Sequence, residues 1–138
     1  MAERMKLDIL TPRGPKVQDI DVPGVEVPGL LGELGVLPEH VPFVTAVKPG
    51  VVRFRQGSGS TRLAVGAGFL EVTEAGRVVV LCERALAPDQ IDAEQARTRL
   101  REVEAELAKY SGPISAAEHR DLDQERAWLE AQLRCAAG

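Results

Sequence analysis

The sequence predicts an α+β chain, an N-terminal antiparallel β-sandwich followed by a C-terminal antiparallel two-helix hairpin. Three observations carry that prediction. From Met5 to Leu86 apolar residues recur with period two between frequent turn signals. From about Pro88 the spacing becomes three and four. The charge divides at the same place: residues 1–87 hold ten Lys and Arg against ten Asp and Glu, so the net −4 falls entirely on residues 88–138. The expected division is therefore a sandwich over 1–87 and a hairpin over 88–138.

The strands follow in order. Met5, Leu7 and Ile9 alternate with Lys6 and Asp8, and Ile20 and Val22 with Asp19 and Asp21. Further on, Val52 and Phe54 alternate with Arg53 and Arg55, and Leu70 and Val72 with Glu71 and Thr73. Pro23-Gly24, Pro49-Gly50, "GSGS" at Gly57–Ser60 and Ala75-Gly76 supply the breaks, because Pro presets φ and Gly admits φ > 0. "VPG" occurs twice, at Val22–Gly24 and Val27–Gly29. Many short strands with close turns read as a sandwich or flattened barrel.

The helices come next. Ala93, Ala96, Leu100, Val103, Leu107 and Tyr110 form one stripe along a first helix, with Asp92 and Gln95 spaced as a capping box and Ile91 as its staple. "SGP" at Ser111–Pro113 ends it. Ser115 and Glu118 are spaced as a second box, opening a helix that carries Leu122, Leu129 and Leu133. One narrow apolar face per helix makes such a hairpin marginal alone. It must dock on the sandwich, on another protein, or alternate between them.

Bulk properties exclude several classes. Of 138 residues, 44% are apolar, enough for a core, and 28% are charged. Aromatics at 4% and a net charge of −4 leave neither a stacking platform nor a basic surface, so no nucleic-acid partner is expected. The start, "MAERMKLDIL", has no apolar leader core, and the longest apolar run, Val78–Cys82, is too short to span a bilayer. Membrane association is expected only through a partner. Cys82 and Cys135 stand in unrelated contexts, which predicts neither disulfide nor metal knuckle and fits a reducing compartment. Cys82 closes "VVVLC" and reads as a small buried hydrophobe.

Catalysis needs a converging nucleophile, base and orienting group. His40 sits beside Glu39 in a proline-bounded segment without Ser or Cys nearby, and His119 lies amid acids in a helix. No HExxH, CxxC, GxSxG or phosphate-loop pattern occurs. "GAGFLE" at Gly66–Glu71 lacks the spacing that cradles phosphate and marks a close backbone approach in a sheet. No catalytic residue, cofactor or metal is expected. Arg97, Arg99 and Arg101 read either as a solvated face paired with Glu94 and Glu102 or as a patch for an acidic partner. Arg97 and Arg101 share a face while Arg99 points elsewhere.

"GELGVLPEHVPFVTAVKPGVV" at Gly32–Val52, then "LAVGAGFLEV", "RVVVLCERAL" and "IDAEQA", together resemble the epsilon subunit of the F-type ATP synthase, in order and over essentially the whole chain. The resemblance implies a non-catalytic central-stalk subunit that binds gamma and rests on the c-subunit ring, coupling proton-driven rotation to the alpha/beta head. It implies a hairpin that folds on the sandwich or extends into the head and inhibits ATP hydrolysis. In that picture Glu33, Leu34, Val36, Leu37, Pro38, His40 and Pro42 belong to the loop facing the c ring and gamma, with His40 a turn or packing residue. Arg97, Arg99 and Arg101 become contacts for an acidic segment of beta. The location implied is the cytoplasmic face of a bacterial plasma membrane, with a plastid thylakoid as the alternative.

The chain departs from the family pattern in places. "VPGLL", between Glu26 and Gly32, reads as a loop extension; the Gly usual before His40 is Glu39, and a usual Gly-Gly is Ala67-Gly68. Some bacterial relatives bind ATP on the folded hairpin through an Ile/Leu-Asp-x-x-Arg-Ala motif. Ile91, Asp92 and Ala96 match it, but Gln95 replaces the arginine and Leu86 an expected acid. Losing that charge-assisted contact weakens any such site, formed by Asp92 and Ala96 with Arg126, and also Arg134, on the second helix as compensating cations. The alternative function is thus an adenine-nucleotide-sensing module built on the folded hairpin.

Overall fold

The computed structural model describes residues 4–138; residues 1–3, the first of the segment assigned to the sandwich, lie outside the described residues. Ten strands come first: β1 (Met5–Thr11), β2 (Gly14–Val22), β3 (Val25–Gly29), β4 (Gly32–Val36), β5 (Phe43–Val47), β6 (Gly50–Gln56), β7 (Gly59–Val65), β8 (Gly68–Val72), β9 (Arg77–Cys82) and β10 (Ala85–Leu86). A 3₁₀ turn at Pro88–Gln90 leads to α1 (Ala93–Lys109) and α2 (Ala117–Ala137). The α+β architecture expected from the change of period is the one observed.

Hydrogen bonding links the strands in the order β10-β7-β6-β3-β5-β8-β9-β1-β2, with β4 paired to β3. Between β3 and β5 the link is one pairing, Gly29 with Val47. The sheet folds over a core in which Leu7, Ile9, Val22, Val27, Val36, Val52, Val65, Leu70, Val78 and Val80 are fully buried. Alternation is plainest in β8, where Leu70 and Val72 point inward and Phe69 and Glu71 outward. One pairing corrects the all-antiparallel expectation: β1 runs parallel to β9, from Lys6 opposite Arg77 to Leu10 opposite Leu81. Period two reports which face a side chain takes and is silent on strand direction.

Gly68 explains part of "GAGFLE". A Cβ there would sit 1.8 Å from the Leu81 carbonyl oxygen, so the backbones of β8 and β9 approach as only glycine allows. Across the sheet, a register shift between β1 and β2 is pinned by charge. Asp19, at φ 55°, donates its backbone N–H to Asp8 Oδ1 at 2.7 Å. Arg77 forks between Asp8 (2.6 Å) and Asp19 (2.7 Å). That hydrogen bond from Arg77, with the Lys6 charge, holds the Asp19 carboxyl below the ordinary carboxylate range.

Two further expectations need correction. "VPGLL" is mostly strand and not loop: Val27, Pro28 and Gly29 are buried strand residues paired with Leu34, Glu33 and Gly32, and only Leu30 and Leu31 form the turn. The second helix is not capped by Ser115. Its N-cap is Ala116, without a side-chain hydrogen bond, so the spacing of Ser115 and Glu118 has no structural counterpart. The first cap is as expected in one half: Asp92 Oδ1 accepts from the Gln95 N–H at 3.0 Å. Among the described residues, neither helix is long and apolar enough to cross a membrane.

Candidate functional site

The hairpin's seat on the sandwich is built by α2. This helix carries two apolar stripes. Leu122, Leu129 and Leu133, the stripe the sequence located, face α1 and pack with Ala96, Leu100, Val103 and Leu107. Trp128, Ala131 and Cys135, again at three- and four-residue spacing, face the sheet and cover Val51 and Ala64 on the outer side of β6 and β7. Sequence reasoning missed this second stripe, although its spacing was available; one narrow face per helix holds for α1 alone. Trp128 is 5% exposed and Cys135 not at all.

Polar contacts rim the seat. Arg62 Nε on β7 donates to the Cys135 carbonyl at 2.5 Å, placing a cation against the negative end of the α2 dipole. The Arg84 guanidinium lies over the Trp128 ring, 4.6 Å from its centroid. Burial pushes the Cys135 thiol up, and pushes Cys82, inside the sandwich, up to about 11. Cys82 is the buried hydrophobe expected.

Arg99 joins the two helices. Its Nε and Nη2 reach both oxygens of Glu125 on α2, at 2.7 and 2.9 Å, and its Nη1 lies 3.5 Å from Glu102 and 3.6 Å from Glu106. The fork holds the Glu125 carboxyl below its ordinary range and raises the guanidinium in return. Arg97 and Arg101 are exposed, and Arg101 bonds Thr98 of its own helix. Of the three predicted contacts, then, two face solvent and one is engaged inside the hairpin.

The residues proposed for a nucleotide are only partly gathered. Asp92 and Ala96 line a cleft of about 560 Å³ with Leu86, Gln95, Arg99 and Glu102. Arg126 does not line it and pairs instead with Asp123 and Glu130 along α2. The one cation in the lining is Arg99, already held by three carboxylates.

At the other candidate surface, Glu33, Leu34 and Val36 belong to strand β4 rather than to a loop. Val36 is fully buried and offers no side chain to a partner; Leu34 packs against the core. Leu37, Pro38, His40 and Pro42 form the irregular segment that follows. Glu39 adopts φ 70°, a conformation that favours glycine, which accounts for the glycine usual at this position in the resembled pattern. The His40 N–H bonds the Leu37 carbonyl at 3.2 Å, and its ring lies 4.8 Å from that of Phe43, so it holds a turn. Leu37 and Val41 are 64% and 69% exposed, and Leu31, at the β3–β4 turn, is entirely so.

The outer face of β5, β8 and β9 is also open. Ala46, Phe69, Leu81 and Leu10 lie in one row across four strands. Phe69 is 58% and Leu81 49% exposed, with Val44 beside them at 65%. Nothing in the sequence distinguished this face, since outward apolar residues look like inward ones shifted by one position.

Comparison with known proteins agrees with this architecture. A family model described as ATP synthase, Delta/Epsilon chain, beta-sandwich domain, matches residues 4–88. The chain is similar to the ATP synthase epsilon chain of Desulforamulus reducens, 46% identical over 110 residues, which are 78% of this chain and 80% of that one. It is also similar to the epsilon chain of Geobacter metallireducens, 37% identical over 133 residues, 96% of this chain and 95% of that one. In fold it resembles a chain of the Euglena gracilis mitochondrial ATP synthase OSCP/F1/c-ring assembly, with TM-score 0.83, 20% identity and 98% and 82% of the two chains covered. A chain of the Tetrahymena thermophila mitochondrial ATP synthase central stalk and c-ring gives TM-score 0.64 at 12% identity, covering 98% and 95%. With its sandwich matched by the family model and nearly its whole length matched by bacterial relatives, the chain belongs to the ATP synthase epsilon chain family.

Proposed function

We propose that the chain is a central-stalk subunit that couples c-ring rotation to the alpha/beta head and restrains ATP hydrolysis through its hairpin. Residues 1–87 are the coupling body and residues 88–138 the regulatory element. The observation that carries this reading is the hairpin's seat: α2 docks on β6 and β7 through Trp128, Ala131 and Cys135, while α1 packs on α2. A seat of three apolar residues with an Arg62 cap can be exchanged for another surface at a cost of a few kcal/mol. In the extended state Arg97 and Arg101, already exposed, would meet an acidic segment of beta.

The bare row of Phe69, Leu81 and Val44 supports a protein partner on the opposite side of the sandwich, assigned here to gamma. Leu37, Pro38, His40, Pro42 and the exposed Leu30–Leu31 turn are assigned to the c ring. The complex would place the chain on the cytoplasmic face of a bacterial plasma membrane, the thylakoid being the alternative. A nucleotide-sensing hairpin is the second reading. It draws support from the cleft around Asp92 and Ala96, and the prior engagement of Arg99 weighs against it.

The test is ATP hydrolysis by an epsilon-depleted alpha/beta/gamma complex with the full chain or residues 1–87 added. Binding of both with inhibition by the full chain alone is expected. Binding of both without inhibition would remove the regulatory role, and binding of neither would remove the stalk assignment.

A further inference from the structure

We propose that the outer face of β3, β4, β6 and β7, next to the seat of α2, docks an acidic protein segment. Three arginines lie on this face. Arg53 on β6 stands directly opposite Arg62 on β7, and Arg55 lies two residues along β6 on the same side. Val51 and Ala64 precede them on that side, and there α2 supplies the cover. Among the described residues, none of the three arginines is ion-paired. Like charges directly opposite one another destabilise a strand pair. Carboxylates from a partner relieve that repulsion and match the planar N–H fork of each guanidinium.

Gly35 points to a partner independently. It faces the same way, in one row with Glu26, Arg53 and Arg62 across four strands. Glycine weakens a strand, and a left-handed φ or a close backbone approach is the usual reason to find it there. Gly35 has neither: its φ is not positive, and an added Cβ would meet nothing within 4 Å. At Gly50 and Gly68, by contrast, a Cβ would meet neighbouring atoms at 2.5 and 1.8 Å. The space over Gly35 is free for a close approach from outside the chain, on a strand paired along one edge only.

These residues border a groove of about 550 Å³, whose lining includes Gly24, Glu26, Gly35, Leu37, Arg53 and Arg55. Arg53 and Arg55 make its cationic wall. Leu37, 64% exposed, gives it an apolar end beside the segment assigned to the c ring. Glu26 stands between Gly35 and Arg53 and decides the class of occupant. A uniformly anionic lipid surface is repelled by that carboxylate. A polypeptide answers both signs, with carboxylates for the arginines and backbone N–H groups for Glu26. The occupant is thus an acidic stretch of extended chain with an apolar side chain against Leu37. This surface is distinct from the bare row of Phe69, Leu81 and Val44, and rests on the stalk reading only in that its occupant is sought within that complex.

The test uses the ATP synthase complex, stripped of this chain and reconstituted with it. A photo-reactive p-benzoylphenylalanine replaces Ser60, which lines the groove, and the crosslinked peptides are sequenced. A crosslink to a carboxylate-rich segment of another subunit is expected. R53Q/R55Q should weaken capture by the complex several-fold and flatten its salt dependence. G35V should be at least as stable as the unmodified chain in denaturant, since a strand accepts valine there, and should bind several-fold more weakly. Circular dichroism checks that both variants are folded. Capture of the chain without a crosslink to another subunit, a crosslink to a segment poor in carboxylates, or unaltered capture of R53Q/R55Q or G35V would overturn the groove and leave the stalk reading standing. Failure of the unmodified chain to be captured would overturn both. A crosslink to the hairpin of a second copy would make the surface a self-association site. Flotation on phosphatidylglycerol vesicles that R53Q/R55Q abolishes would make it a lipid site. Either of these overturns the proposal.

Discussion

The two outer faces of the sandwich are chemically alike and structurally opposite. On β6 and β7, Val51 and Ala64 face outward and are 5% and 0% exposed because α2 covers them. On β8 and β9, Phe69 and Leu81 face outward in the same way and remain 58% and 49% exposed. The chain therefore carries its own cover for one face and leaves the other open.

The largest expected effect is on the covered face. Trp128→Ala should remove about 3–5 kcal/mol from the seat, read as lost exchange protection over 117–137 while β1 and β9 stay protected. Simultaneous loss of both would show that seat and sandwich are one cooperative unit. On the open face, sequence neighbours should diverge. Leu70→Ala, inside the core, should cost about 2–5 kcal/mol in denaturant unfolding, and Phe69→Ala should stay within about 0.5 kcal/mol. F69A/L81A should instead weaken capture by gamma; an unchanged affinity would remove that assignment.

Thiol labelling sharpens the contrast with a smaller signal. Both cysteines are buried with raised pKa values and should react slowly at neutral pH. Cys135 should label first, because unseating α2 exposes it, whereas Cys82 waits for the sandwich to open. Equal rates would mean that the hairpin does not leave by itself. The smallest effect is electrostatic. The folded-state pKa of Glu125 lies below the ordinary 4.5, so the Arg99 pair contributes fully above about pH 4.5 and its contribution fades as pH falls through the lower folded value. Hairpin helicity should show that acid limb, weaken in salt, and lose the limb in E125Q.

Much of this was legible in the sequence. Period two located Leu7, Ile9, Leu70 and Val72, and Asp92 located the start of α1 to the residue. The stripe from Ala96 to Leu107 located the apolar face of α1, but that face packs on α2 and not on the sandwich. What escaped was whatever depends on elements distant in the chain. The Trp128–Ala131–Cys135 stripe has a helical period, but only the sheet beneath explains its apolarity. Arg99 looks like a surface cation until Glu125 is brought to it. Glu39 shows the reverse case: a departure from a sequence pattern acquired a physical meaning once its φ was known. The exposure of Phe69 and Leu81 could not be read at all, because alternation tells in from out and not covered from bare.

The parallel pairing of β1 with β9 has a consequence for biosynthesis. Leu7 and Ile9 enter the core beside Val78 and Val80, about seventy positions later in the chain. Until the ribosome has delivered that segment, β1 and β2 present an unpaired edge and the core lacks one wall. The sandwich can close only near the end of its own synthesis, and the hairpin emerges just afterwards onto a surface that has only then become complete. Late in the synthesis of the sandwich is thus when this chain most needs protection from misassembly, and the hairpin finds its place only after that.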